Sequence, residues 1–156
     1  MAVEIERKFL VSMDLLPDLP VGIAIKQGYL PSSNNTVTRV RLKGERAFLT
    51  IKGENNATGT SRLEFEYAIP LADAEQMIAE LCVVPTVEKV RYEIPLGSHV
   101  FELDIFNGDN QGLLVAEVEL TAEDETFARP EWLALEVTGD ARYYNSSLVK
   151  TPFTSW

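Results

Sequence analysis

Glu4-Ile5-Glu6-Arg7-Lys8-Phe9, close to the start of the chain, is the stretch from which the fold can be read. In extended backbone alternate side chains share a face, so Glu4, Glu6 and Lys8 project together while Val3, Ile5 and Phe9 project the other way. Arg7 is the one ion on the apolar side. One such strand would be an amphipathic edge with a solvated polar face. The pattern returns, however, in Thr38-Arg39-Val40-Arg41, Leu49-Thr50-Ile51-Lys52, Arg62-Leu63-Glu64-Phe65-Glu66, Lys89-Val90-Arg91, Glu102-Leu103-Asp104 and Glu117-Val118-Glu119.

Two architectures accommodate repeated strands of this kind. In a sandwich the apolar faces meet and the ions are the solvated exterior. In a closed barrel the ions line the lumen and the apolar faces are wrapped from outside. Periodicity alone does not choose between them, because it does not say which face is buried. An inward face needs compensation, since each buried ion forfeits several kcal/mol of hydration unless paired or bound. The charges are grouped in a way that supplies it. Glu4, Glu6, Glu117 and Glu119 lie on the first and last of these segments, where closure would gather hard oxygen donors for a divalent cation. Arg39, Arg41, Lys52, Lys89 and Arg91 lie on the segments between, and a basic surface of that kind suits a polyanion.

The chain of 156 residues, 46% hydrophobic and 24% charged, fits a single domain over residues 1–156 with a core of its own. A net charge of -10 argues against nucleic acid or an anionic membrane as partner. No leader pattern or membrane-length apolar run is read, which predicts a cytoplasmic protein. The single cysteine, Cys82, reads as a small core residue, and the single histidine, His99, as part of a turn, so a zinc site is not expected.

In order, the pattern predicts a strand over 3–10, a short helix near 12–16 limited by Pro17 and Pro20, and strands over 23–30, 37–43 and 46–52, the last two forming a hairpin. Residues 53–60 read as an exposed, mobile loop. A strand over 61–69 precedes a helix over 71–81, with Ala74, Met77, Ile78 and Leu81 on one side. Strands near 88–94, 99–106 and 113–120 follow. The tail offers Trp132, Leu133, Leu135 and Val137, then a helix opened by Thr138 or Asp140 and carrying Tyr143, Tyr144 and Leu148.

Taken in this order, Glu4-Ile5-Glu6-Arg7-Lys8, Arg39-Val40-Arg41, Thr50-Ile51-Lys52-Gly53, Glu64-Phe65-Glu66, Glu88-Lys89-Val90-Arg91, Glu102-Leu103-Asp104 and Glu117-Val118-Glu119 resemble the CYTH superfamily, or triphosphate tunnel metalloenzymes, whose hallmark is Glu-x-Glu-x-Lys near the N-terminus. The resemblance implies an α+β fold: an eight-stranded antiparallel β-barrel forming a tunnel, with helices packed on the outside. It implies Mg2+ or Mn2+ held by Glu4, Glu6, Glu117 and Glu119, and a triphosphate held by Lys8, Arg39, Arg41, Lys52, Lys89 and Arg91. Arg62 and Arg142 are further expected substrate contacts, and Glu64, Glu66 and Asp104 further tunnel acids. The short bacterial members that this chain resembles hydrolyse inorganic triphosphate, which assigns chemistry to Lys89 and Tyr29 beside Glu4 and Glu6. Class IV adenylyl cyclases and thiamine triphosphatases share the family, and a module that binds triphosphate or polyphosphate without turnover is a further alternative. Uncovered apolar strand faces would allow a homodimer.

Overall fold

The computed structural model describes residues 2–156; Met1 lies outside the described residues. The alternation of the opening stretch becomes β1 (Val3–Val11). It is followed by β2 (Ile23–Leu30), β3 (Val37–Lys43), β4 (Arg46–Lys52), β5 (Ser61–Ile69), helix α1 (Leu71–Glu80), β6 (Val83–Leu96), β7 (His99–Phe106), β8 (Leu114–Glu119), β9 (Leu133–Glu136) and helix α2 (Asn145–Lys150). Neighbouring strands run β5-β4-β3-β2-β6-β7-β8-β1, and β1 returns to β5, so eight antiparallel strands close on themselves.

The closing seam is short. Val3, Glu4 and Ile5 pair with Leu63, Arg62 and Ser61, after which the same edge of β1 passes to β9, with Phe9 opposite Glu136 and Val11 opposite Leu133. β9 therefore covers strand edge that would otherwise be free to pair with another chain. The tail sequence predicts no strand here, because four residues are too few to display a period. Glu136 also resolves the Arg7 exception. Arg7 Nε donates to Glu136 Oε2 at 2.7 Å and the guanidinium lies over the Phe127 ring at 5.2 Å, so the charge is paired where the rest of its face is apolar.

Burial decides between the two architectures. Lys8, Arg39, Arg41, Lys52, Lys89, Arg91 and Asp104 are all buried, Asp104 to 1% exposure, whereas Phe65 and Tyr67 on the opposite face of β5 are 43% and 57% exposed. The ions point inward. Outside, α1 sets Ala74 and Ile78 against Val40 and Ala47, while Leu120 and Trp132 cover Phe9, Phe101, Leu103, Ala116 and Val118. Leu81, expected on the packed side of the helix, follows its last turn and is exposed.

One end of the lumen is filled. Inward positions of the strands change from ionic to apolar at Tyr29, Val87, Phe106 and Val115, and Leu148 and Val149 of α2 pack onto them with Tyr143. This helix thus seats at an end of the barrel and not on its wall. β6 starts earlier than predicted, at Val83, with Pro85 near the point where its register with β2 shifts between Gln27 and Tyr29. Residues 53–60 are exposed or half-buried, yet tied down: the Asn56 side-chain oxygen accepts from the backbone N–H of Thr60 and Ser61 at 3.0 and 3.1 Å. Asn55 Nδ2 donates to the Tyr144 hydroxyl at 3.0 Å. Gly59, at φ +76°, lies so near Gly139 that an added Cβ would stand 2.3 Å from its Cα, which no other residue tolerates.

Candidate active site inside the barrel

The lumen holds a cavity of about 180 Å³ whose wall is almost wholly polar. Strand register determines which charges meet. Tyr29 stands opposite Arg39 and Gln27 opposite Arg41; Thr50 faces Glu66 and Lys52 faces Glu64; Arg91 faces Asp104. On the other side Glu6 stands opposite Glu119, Lys8 opposite Glu117, and Glu102 opposite Glu117. Directly opposed like charges oppose folding, so the acidic side of the barrel carries a charge that the chain itself does not fully neutralise.

The basic side is held by a few anchors. Asp104 receives Arg91 in a two-pronged pair at 2.8 and 2.9 Å and Lys89 Nζ at 2.7 Å. Burial pulls the Lys89 ammonium down to about 7; Asp104 works against that fall while Arg91 and Arg41 add to it. Burial and the neighbouring Arg39 and Arg91 bring Arg41 down to about 10. Arg39 reaches Thr50 Oγ1 at 3.2 Å and Glu66 Oε1 at 3.3 Å. Its Nε has no partner, the one such buried side-chain polar atom among the described residues. A buried guanidinium N–H left unpaired is an unfilled site for an anion's oxygen.

The acidic side shows the reciprocal shortage. Burial, with Glu117 and Glu4 nearby, pushes the Glu6 carboxyl well above its ordinary range. Glu117 is equally buried, but Lys8, a hydrogen bond from Glu6 and Arg91 outweigh burial and hold it well below that range. The two neighbouring carboxyls are thus driven apart, Glu6 upward and Glu117 downward. Burial likewise raises Glu4, against the attraction of Lys52, and raises Glu119, with Glu4 and Glu102 adding to the effect. Carboxyls that burial and neighbouring acids hold above their ordinary range, Glu6 above all, suit a hard divalent ion. As placed, no three of them among the described residues are gathered closely enough to enclose one.

Glu4, Glu6, Lys8, Tyr29, Arg39, Arg41, Lys52, Arg62, Glu64, Glu66, Lys89, Arg91, Glu117 and Glu119 all line this cavity, and Asp104 lies directly behind Lys89 and Arg91. Arg142 does not join them. Its guanidinium is 66% exposed, paired with Asp140 Oδ2 at 2.9 Å and set over the Trp156 ring, because the turn Ala141–Tyr143 buries Tyr143 and turns its neighbour outward. Several wall or support residues escape the sequence reading of the site: Val37, Lys43, Glu102, Tyr144, Asn145 and Ser146 in the wall, with Gln27 and Thr50 in support. Gln27 and Thr50 share inward faces with Tyr29 and Lys52, so alternation alone could have found them; Glu102 stands in step with Asp104. Asn145 comes from the start of α2 and has no periodic signal.

A CYTH domain model matches residues 2–150. An inorganic triphosphatase of Acetivibrio thermocellus is 43% identical over 156 residues, covering 100% of this chain and 99% of that one. An inorganic triphosphatase of Nitrosomonas europaea is 39% identical over 151 residues, 93% of this chain and 95% of that one. Among solved structures, an inorganic triphosphatase superposes with TM-score 0.67 at 36% identity, covering 96% of this chain and 95% of that one.

Proposed function

Since the chain belongs to the CYTH family, we propose that it hydrolyses inorganic triphosphate inside the barrel with a divalent metal, Mg2+ or Mn2+. The observation that carries this reading is the charged lumen itself: buried cations with an unpaired Arg39 Nε, and beside them the opposed acids Glu6, Glu117 and Glu119, with Glu6 held well above its ordinary range. A polyanion complements the cations and a divalent ion the acids.

Glu4, Glu6, Glu117 and Glu119 would hold the metal, which when bound offsets charge on the phosphate oxygens and acidifies bound water. The chain's own residues do the rest. Arg39, Arg41, Lys52 and Arg62 bind and align the phosphate chain, which is most of what phosphoryl transfer asks of a protein. Lys89, braced by Asp104 and Asn145, places an ammonium against the charge that builds as water oxygen bonds to the terminal phosphorus and the bridging P–O bond breaks. Tyr29 orients that phosphoryl group. A nucleotide is a poorer fit: only Val37, Tyr29 and Tyr144 among the wall residues offer apolar or aromatic surface, which leaves no slot for a purine. No helix among the described residues is long and apolar enough to cross a membrane.

The test is phosphate release from tripolyphosphate, ATP and thiamine triphosphate, each with magnesium and with manganese. Metal-dependent release, fastest from tripolyphosphate, is expected. Cyclic AMP from ATP would mark a cyclase, and tight calorimetric binding of tripolyphosphate without phosphate release would mark a binding module; either overturns the reading.

A further inference from the structure

Resting on that reading, we infer that Gln27 is a positioning residue that fixes the direction in which Tyr29 donates its proton, and that Asn145, linked through it, presents an N–H2 group to the terminal phosphoryl group. The inference follows from donor and acceptor arithmetic in a closed network. Gln27 is wholly buried. Its side chain meets Arg41 Nε at 2.8 Å, the Tyr29 hydroxyl at 2.7 Å and the Asn145 side-chain oxygen at 3.1 Å.

Arg41 Nε can only donate, so it must face the oxygen of Gln27. That leaves the Gln27 amide N–H2 for the other two partners, and both must accept. The Tyr29 oxygen therefore receives a hydrogen bond, and its own proton is released to point into the cavity that its side chain lines. Asn145 is constrained from two sides. It receives Gln27 Nε2 and also Lys89 Nζ, at 2.8 Å, so its oxygen is turned to the network and its N–H2 group is left for the cavity wall, of which Asn145 forms part. One obligate donor, Arg41, thus sets the polarity of three side chains. The result is a cluster of outward donors, from Tyr29, Asn145 and Lys89, beside one another at the plugged end of the lumen. Such a cluster matches the three non-bridging oxygens of a terminal phosphate.

Gln27→Glu tests this with almost no change of shape. A carboxylate still accepts from Arg41, which keeps it paired, but it cannot donate, so Tyr29 must turn its proton back to position 27. Losing one hydrogen bond to a charged group, worth about 1.5–3 kcal/mol, lowers kcat for tripolyphosphate roughly 10- to 100-fold, with a smaller change in KM. Tyr29→Phe should show a loss no larger than this, and adding it to Gln27→Glu should bring little further loss, because Gln27→Glu has already turned the Tyr29 donor away from the cavity. Asn145→Asp should fall similarly and Asn145→Ala should raise KM, with thermal unfolding confirming that each variant folds. Turnover of Gln27→Glu within about threefold of the parent, or losses from Gln27→Glu and Tyr29→Phe that multiply, would overturn the inference. Should the unaltered protein release no phosphate, the hydrolase reading fails on its own; the network is then judged by calorimetric affinity for metal-tripolyphosphate, where equal binding by parent and Gln27→Glu sinks it.

Discussion

Replacing Asp104 by Asn would remove the carboxylate that touches both Lys89 and Arg91 while keeping the shape of the side chain, and would leave Arg91 with Glu102 at 3.1 Å. Asp104 is 1% exposed and holds Lys89 at 2.7 Å and Arg91 at 2.8 and 2.9 Å. Removing one member of a buried ion pair costs about 3–5 kcal/mol, because the partner remains buried without its counter-charge. For a chain of this length each kcal/mol moves Tm by about 2–4 °C, so a fall of roughly 6–20 °C is expected. The loss depends on pH through Lys89. Its folded-state value of about 7 already lies below its ordinary 10.5, and without Asp104 it drops further. Between the folded and unfolded values the unfolded chain holds a proton that the folded one lacks, so stability rises with pH across that window. The window opens at lower pH in the variant than in the parent. The stability gap is therefore widest near pH ~5 and narrows toward pH ~7, above which the two curves run parallel. Denaturant titrations of both proteins, without metal, at several pH values read this directly. A gap under about 1 kcal/mol throughout, or one that widens as pH rises toward neutrality, would refute the account of Asp104 as the anchor of the basic side.

Glu6→Gln should act in opposite directions on stability and activity: without metal, Tm rises, by about 1 kcal/mol in free energy, because an opposed acid is gone, while metal-dependent phosphate release falls; scanning calorimetry and a phosphate assay show whether the signs differ. Proton counts should also differ by step. Metal binding to carboxyls that burial holds above their ordinary range releases protons, the more so as pH falls, whereas triphosphate binding to the metal-loaded protein takes up a proton at Lys89, raised from about 7 by the arriving anion; isothermal titrations in two buffers of unlike ionisation heat measure both. Affinity for triphosphate accordingly weakens as pH rises above neutrality. Arg142→Ala should leave KM within about twofold and stability within about 0.5 kcal/mol, as befits an exposed side chain away from the cavity.

The sequence revealed the site wherever function was written in a strand's alternation. Glu4, Glu6 and Lys8, or Arg39 and Arg41, share a face by geometry that no tertiary contact can alter, so their convergence follows once the barrel closes. What alternation could not supply was the sign of burial. Phe65 and Tyr67 look like core residues in sequence, and only the closed lumen shows that Glu64 and Glu66 take the inside. Irregular segments were the other blind spot. The sequence resemblance puts Arg142 in the lumen, but one 3-10 turn sends it to solvent; Asn145, three residues later, carries no such signal and stands in the wall. β9 is hidden because its four residues pair with β1 at the far end of the chain, Phe9 opposite Glu136 and Val11 opposite Leu133, which local propensity does not record.

The apolar stopper made by Phe106, Val115, Leu148 and Val149 fills one end of the bore. On the proposed function, a linear phosphate would enter with one end leading toward Lys89, and whatever is cut free would back out the way it came. Departure through the entrance makes turnover a queue, in which the next molecule waits for the last fragment to clear.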